Sequence, residues 1–284
     1  MAGPNLFDRR LLQARRRRAR MLGPETFLIE RVAAELGERL SAVLRRFDVA
    51  ADIGTPTGAV RRVLAASGKV GVIPQIALDE EALPFADGSL DLAVSALAFQ
   101  FVNDLPGTLI QIRRALKPDG LLLAALAGGD SLGELRRAFA EAESELEGGV
   151  SPRVAPFADV RELGTLLQRA GFALPVIDTD RLVVRYDSVF ALMRDLRRMA
   201  ATNVLNERRR TPLRRRTLAR MAEIYAQRFA DPDGRLRATF EIVWLCGWAP
   251  HESQQKPLKP GSAAQRLADA LGTTERSAGD KAER

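Results

Sequence analysis

Apolar positions along this chain switch repeatedly between helical and strand spacing. Residues 25–46 carry apolar side chains at helical intervals, which predicts an amphipathic helix after a basic helix over residues 5–20. The candidate buried face of the second helix is Phe27, Val32, Leu36 and Leu40. From about residue 48 to residue 185, short apolar runs that suit buried strands alternate with helical segments. This alternation predicts an α/β fold, a parallel sheet covered by helices on both faces.

The pattern changes in the last third of the chain. An arginine-rich stretch there predicts two or more helices, and a long apolar run then predicts a final strand before a polar tail typical of disorder. We therefore predict five segments: an N-terminal helical extension over 1–46, a core over 47–187, a helical insertion over 188–237, a last strand with a C-terminal motif over 238–260, and a tail over 261–284.

Composition limits the kinds of site that the chain can build. It has 284 residues, with Cys246 as the single cysteine and His251 as the single histidine. One cysteine excludes an intrachain disulfide, and one histidine argues against a multi-histidine metal site. No run of about 18 apolar residues occurs, so we predict no membrane span.

Arginine gives the chain a formal net charge of +7, and its runs lie at 15–18, 208–210 and 214–216. Such a charge favours anionic partners: nucleic acid, lipid headgroups or an acidic protein surface. A solvated basic helix face explains the runs equally well. Residues 208–216 include no aromatic side chain on which bases would stack, so nucleic acid is the least favoured partner.

The segment ADIGTPTGAV has the strand, glycine turn and helix of a nucleotide site, with Asp52, Gly54 and Gly58 in the expected places. Glycine lets the backbone approach a ligand closely, and a helix N-terminus favours anionic groups. Pro56 lies where a middle glycine would stand, and proline lacks an N–H donor. An ordinary strand-to-helix turn is the alternative interpretation.

A carboxylate that would bind ribose hydroxyls is missing. Nucleoside sites on this fold usually have one about 20 residues after the glycine turn, but no Asp or Glu occurs between Asp52 and Asp79. Residues 59–78 are also too few for a helix, a strand, a second helix and a second strand. We therefore predict that one strand–helix unit is lost or reduced to a stub.

For three further features, a functional role has to be weighed against a structural one. His251 is a candidate proton carrier or a surface residue. Trp244 and Trp248 lie four apart on a predicted strand and face one side, which favours core packing. Asp178 and Asp180 are either a cation-binding pair or ordinary loop carboxylates.

The string D-x-x-x-LPF-x-DGS-LD-L-x-x-S from Asp79, followed by LKPDG at 116–120, resembles the middle of many class I, Rossmann-like methyltransferases. Residues 117–120 of the second motif predict a turn. This resemblance implies S-adenosylmethionine as the cofactor, with Asp79 near adenine and the stretch from Ser95 to Leu97 along the cofactor. The expected cofactor-binding residues are Asp52, Gly54, Gly58, Asp79, Ser95 and Leu97. No catalytic or metal-ligating residue is assigned.

A narrower resemblance extends over residues 5 to about 257. The chain is similar to the complex I assembly factor 5 family of mitochondria and alphaproteobacteria in its motifs NLFDRRLL, FVNDLP, GGDSLGELR, EGGVSPRVAPF and GWAPHESQ. This resemblance implies modification of an arginine in an iron–sulfur subunit of respiratory complex I, and such a subunit as partner. The family's mature domain begins near FDR, so we do not expect a transit peptide. We expect a bacterial cytoplasmic protein.

The chain departs from the family at the cofactor loop. The family usually has D-x-G-C-G-x-G and an acid at the end of strand two, whereas this chain has Pro56 in the turn and no such acid. At about 1 kcal/mol or more for each lost hydrogen bond, cofactor affinity would fall by roughly one to three decades.

Three functions therefore stay open at this point. The first is an S-adenosylmethionine-dependent enzyme, and the second is a non-catalytic assembly protein on a degenerate methyltransferase scaffold. The third is a nucleic-acid-binding or RNA-modifying protein. Hydroxylation would require a metal or a redox cofactor, and the sequence offers no evident iron site.

Overall fold

The computed structural model describes residues 5–74, 79–255, 269, 272 and 273. The chain divides into two units, Met1–Pro250 and His251–Arg284, and the elements below belong to the first. Most of the tail predicted over 261–284 lies outside the described residues.

Helices and strands alternate along the first unit, as the apolar pattern predicts. The helices are α1 (Arg9–Met21), α2 (Phe27–Ala42), α3 (Ala59–Ala66), α4 (Leu105–Ala115), α5 (Gly133–Glu147), α6 (Val160–Arg169), α7 (Val189–Arg198) and α8 (Arg215–Phe229). The strands are β1 (Phe47–Asp52), β2 (Val70–Val72), β3 (Leu90–Ala96), β4 (Leu116–Ala127), β5 (Ala173–Tyr186) and β6 (Leu236–Trp248).

The strands form one sheet in the order β2-β1-β3-β4-β6-β5. The first four strands pair in parallel, whereas β6 runs antiparallel to both β4 and β5. Strand β3 is buried along its whole length because helices cover both of its faces. Leu92 and Val94 face the core that contains α2 and α5, while Leu90 and Ala93 face the core that contains α4 and α6. The predicted α/β fold is confirmed.

The N-terminal half of the sheet is short. Strand β2 has only three residues and lies at the edge of the sheet beside β1. Among the described residues, no further strand pairs with β2. The next strand in the chain, β3, pairs on the opposite side of β1, and the described residues between them add only an isolated bridge from Asp79 to Ala82. In the part of the chain that the structure describes, the prediction that one strand–helix unit is lost or reduced to a stub is confirmed.

The two N-terminal helices and the helices α7 and α8 before the last strand occur where the sequence predicts them. On α2, the predicted face is largely correct, since Val32, Leu36 and Leu40 are buried. Phe27 is an error, because it is the first residue of the helix and its side chain stays 37% exposed.

The turn that the sequence predicts at residues 117–120 is also wrong, since these residues lie near the start of β4. Asp119 has a φ of 62° and its N–H donates to the carbonyl of Ala249, while the N–H of Ala249 donates to the carbonyl of Gly120. The pairing of β3 with β4 is irregular here, and β4 continues through residues 117–120 instead of ending.

Candidate functional site

The carboxyl ends of β1 and β3 lie side by side, with Asp52 paired to Val94. In a doubly wound sheet the ligand crevice lies outside such ends. Asp52 ends β1, Gly54 follows it and Leu97 follows β3, so these three predicted cofactor residues lie at this edge. Two hydrogen bonds brace the strands here: Ser95 Oγ donates to the Ile53 carbonyl over 2.7 Å, and the Ala96 N–H donates to Thr55 Oγ1 over 3.1 Å.

The turn after β1 requires glycine at its centre. Gly54 has a φ of +72°, in the left-handed region that favours glycine. Gly58 lies at the N-cap of α3, also as the sequence predicts, but without a side chain to cap the helix. The buried hydroxyl of Ser95 serves the backbone of this turn, so its observed role is structural.

A carboxylate occupies the space over Gly54. A Cβ at this position would lie 2.6 Å from Glu80 Oε1 and 2.8 Å from Glu80 Cδ, and it would collide with Cγ. Glu80 is only 1% exposed. Its carboxylate accepts a hydrogen bond from Arg16 Nη1 over 2.9 Å and another from Arg9 Nη2, so helix α1 closes over the turn.

The two guanidiniums keep Glu80 ionised. Burial acts to raise the pKa of Glu80, but the charges of Arg16 and Arg9 outweigh burial and hold that pKa below its ordinary value. The Glu80 carbonyl also accepts a hydrogen bond from Thr108 Oγ1 over 2.9 Å. Asp79 accepts a 3.1 Å bond from Arg9 and is more than half exposed, so it contributes to the same cluster.

Asp52 is the least satisfied side chain of the turn. Its Oδ1 atom is buried and has no hydrogen-bond partner among the described residues. Burial raises the pKa of Asp52 to about 6, and hydrogen bonds with Thr55 only partly oppose that rise. A buried carboxyl with a raised pKa at a ligand edge is a candidate functional group.

A cavity of about 710 Å³ opens beside the turn. Its wall is contributed by α1, α2, α5, α7, the ends of β3 and β4, and the segment 200–213. Pro56, Thr57 and Leu97 line its edge, and Leu97 is the only predicted cofactor residue in the lining. This volume lies within the range that cofactors and small-molecule substrates usually occupy.

The cavity is strongly cationic. One carboxylate, Glu25, belongs to the lining, together with eight arginines: Arg15, Arg16, Arg20, Arg153, Arg198, Arg208, Arg209 and Arg210. Two of the arginine runs that the sequence shows therefore contribute to one interior wall. The third run, at 214–216, contributes nothing to this lining, and Arg216 donates to the Leu146 carbonyl.

A buried acid on α5 positions one of these arginines. Glu143 is fully buried and accepts a 2.7 Å bond from Arg153 Nε, and Ser151 donates to the same carboxylate. The Arg153 guanidinium also lies 5.7 Å from the centre of the Phe139 ring. Sequence reasoning missed this pair. A glutamate on the apolar face of a predicted helix is the signal that marks it.

The remaining candidates have structural roles in the described residues. Asp178 bonds Arg39 over 2.8 Å, and Asp180 accepts a 2.9 Å bond from Trp244 Nε1, so the two carboxylates do not share a cation. His251, in the second unit, is exposed, and its Nδ1 lies 2.7 Å from Ser253 Oγ. Among described residues there is no group of three or more His, Cys, Asp or Glu that could hold a metal ion. None of the described helices is long and apolar enough to cross a membrane.

The residues over Gly54 do not fit an adenosyl group in this arrangement. A glycine in such a turn lets a ligand approach the backbone, but the carboxylate of Glu80 fills that space. Pro56 adds no N–H donor to the turn. Glu80, which the sequence analysis did not single out, is thus the residue that decides access to the predicted cofactor site.

Comparisons with known proteins agree with the fold. The Methyltransferase domain family matches residues 49–124. A methyltransferase structure from Bacillus halodurans aligns with a TM-score of 0.50 at 15% identity, over 77% of this chain and 99% of its own, which supports the fold alone.

Two relatives match nearly the whole chain. The zebrafish protein "Arginine-hydroxylase NDUFAF5, mitochondrial" is 36% identical over 94% of this chain and 90% of its own length. The human protein of the same name is 38% identical over 91% of this chain and 81% of its own length. The chain therefore belongs to the arginine-hydroxylase NDUFAF5 family, whose fold is that of the class I S-adenosylmethionine-dependent methyltransferases.

Proposed function

We propose that this chain modifies an arginine side chain of a partner protein during the assembly of respiratory complex I. One observation carries the proposal: similarity to the arginine-hydroxylase relatives covers 94% of the chain, far beyond the methyltransferase domain at residues 49–124. The segments outside that domain include α1, α2, α7 and the stretch 200–213, which build most of the cavity wall.

The cavity is the proposed place of reaction because it lies at the carboxyl edge of the sheet and has the volume of a ligand site. Guanidiniums and hydrocarbon side chains dominate its wall. These groups bind and orient ligands, so a bound cofactor must supply the reactive group. No step is assigned to S-adenosylmethionine over Gly54, since Glu80 fills that position. A complex I subunit as partner and a cytoplasmic location belong to the same proposal.

Rescue of human cells that lack NDUFAF5 tests this function. The chain, fused to a mitochondrial leader, should restore complex I on native gels and hydroxylated arginine in the partner by mass spectrometry. Ala127→Trp fills the cavity from the end of β4 and should abolish rescue. Ala66→Trp, at an exposed position of α3, is the matched control and should rescue fully.

Two results would overturn the proposal. One is failure of the folded, imported wild-type chain to restore the modified arginine. The other is full rescue by Ala127→Trp, which would place the reaction outside the cavity.

A further inference from the structure

The carboxylates that neutralise the cavity arginines lie mostly outside its wall. Five of the eight lining arginines have carboxylate partners, and of those partners only Glu25 faces the cavity. The pairs are Arg16–Glu80, Arg153–Glu143, Arg198–Glu25, Arg208–Asp8 and Arg209–Glu147. Four of these five acids thus bind their guanidiniums without belonging to the lining, and the lining itself carries more positive than negative charge.

Three lining arginines, Arg15, Arg20 and Arg210, have no carboxylate within 4.0 Å among the described residues. Arg15 is half-buried, and its guanidinium donates to the hydroxyl of Thr202. Burial, together with the charges of Arg18 and Arg208, lowers the pKa of Arg15, and the charge of Asp8 only partly opposes this. Since arginine stays protonated, the folded chain carries a charge here that is not fully compensated.

Much of the remaining wall is apolar. Leu28, Ile29, Leu97, Phe101, Leu135 and Phe240 belong to the lining, along with further apolar side chains. Apolar surface of this kind binds hydrocarbon, whereas the guanidiniums recognise carboxylate or phosphate oxygens by paired hydrogen bonds. A simple ion would use only the second kind of surface.

We propose that the cavity binds a small molecule with a carboxylate or phosphate group on an apolar body, with the anionic group beside Arg15. The proposal rests on the proposed function, because it names a ligand class for the cavity in which the reaction is placed. It also resolves a conflict of charge. An arginine side chain that entered the empty cavity would meet like charges, and a bound anion removes that repulsion.

Calorimetric titration of the full chain tests this ligand class with four probes: octyl phosphate, octanoate, octanol and inorganic phosphate. Octyl phosphate or octanoate should bind at least about tenfold more tightly than octanol and inorganic phosphate, since each of those lacks one of the two recognised features. Tighter binding of octyl phosphate would identify a phosphate ester, and tighter binding of octanoate would identify a carboxylic acid. Either result supports the proposal.

Two charge variants on α1 locate the site. Arg15→Gln removes a lining charge and should weaken octyl phosphate and octanoate about tenfold or more, because charge-assisted hydrogen bonds contribute about 1.5–3 kcal/mol. Arg17→Gln removes the same charge from an exposed position outside the lining and should leave the affinity unchanged. Equal weakening by both variants would mean attraction to net charge alone and would overturn the proposal. Equal binding of octanol and octyl phosphate would overturn it as well.

The cell rescue and the titration fail independently. Anion binding without rescue would remove the complex I role and keep the ligand class. Rescue by a chain that binds none of the anionic probes would keep the role and overturn the ligand class.

Discussion

Two neighbouring regions at the carboxyl edge of the sheet use the arginines of α1 in opposite ways. Over Gly54, the guanidiniums of Arg9 and Arg16 meet the buried carboxylate of Glu80, and the turn is closed. In the adjoining cavity, Arg15 meets no carboxylate of the described residues, and the space is open. The two regions differ because the chain places Glu80 over Gly54, whereas it places no carboxylate of the described residues within 4.0 Å of Arg15.

Removal of that acid should have the largest effect. Glu80→Ala leaves Arg9 and Arg16 without their buried partner, which should cost about 3 kcal/mol or more of unfolding free energy. The same change clears the space over Gly54, so the affinity for S-adenosylhomocysteine should rise at least about tenfold. Urea unfolding and calorimetric titration measure the two effects.

Glu80→Gln separates space from charge. It removes the negative charge but keeps the side chain over Gly54, so it should lose stability without any gain in nucleoside affinity. A wild-type chain that binds S-adenosylhomocysteine as tightly as Glu80→Ala would show that Glu80 does not close the turn.

The glycine turn should tolerate substitution less well than a turn of similar backbone elsewhere. Gly54→Ala places an alanine in the left-handed region, which costs about 1 kcal/mol of unfolding free energy, and its Cβ collides with Glu80. We expect a total loss of about 3 kcal/mol of unfolding free energy. Gly68→Ala is the matched control, since its φ is +65° and nothing lies within 4 Å of the added Cβ. It should cost about 1 kcal/mol in urea unfolding. Equal losses would mean that Glu80 moves away from Gly54 freely.

Two aspartates on adjacent strands should respond to pH with opposite signs. The pKa of Asp52 is raised to about 6 by burial, so its ionisation destabilises the fold as pH rises from about 4 through 6. Asp52→Asn should therefore be more stable than wild type at pH 7, by about 2 kcal/mol after allowance for partial exposure, and equal to it near pH 4.

Asp91 is the counterpart on β3. Burial acts to raise its pKa, but hydrogen bonds from Lys117 and from the Val49 N–H outweigh burial and lower it. Its stabilising effect is present above the ordinary pKa and fades as pH falls through the lowered one. Asp91→Asn should thus lose stability at pH 7 and approach wild type in acid. Unfolding curves at pH 2, 3, 4, 5, 6 and 7 check both variants, since the change expected for Asp91 lies below about pH 4 and that for Asp52 lies above it. Parallel pH profiles would contradict the account.

Periodicity and motif spacing predict most of the fold. The run of residues 90–97 predicts the central strand because parallel strands buried on both faces are continuously apolar. The missing strand–helix unit follows from the shortness of the segment 59–78. That residues 117–120 belong to β4 and do not form a turn could not be predicted in this way, because the strand pairing there depends on Ala249, which is far away in sequence.

The candidate site is predicted less well, for a reason of the same kind. Asp52 and Gly54 follow from the local motif after a strand, and Leu97 follows from the methyltransferase resemblance. The structure brings the three residues to one edge. Glu80 reads locally as part of an acidic turn, and its burial depends on Arg9 and Arg16, more than sixty residues away. Likewise, the sequence shows that the arginine runs are positively charged but not where their side chains lie. Only the fold shows that two of the runs contribute to the wall of a cavity.

A crystal structure of the chain with octyl phosphate tests the central claim most directly. The phosphate is expected within hydrogen-bond distance of Arg15, with the octyl chain along the apolar wall and Glu80 still over Gly54. Phosphate bound over Gly54 with Glu80 displaced, or bound only outside the cavity, would contradict the contrast between a closed turn and an open anion site.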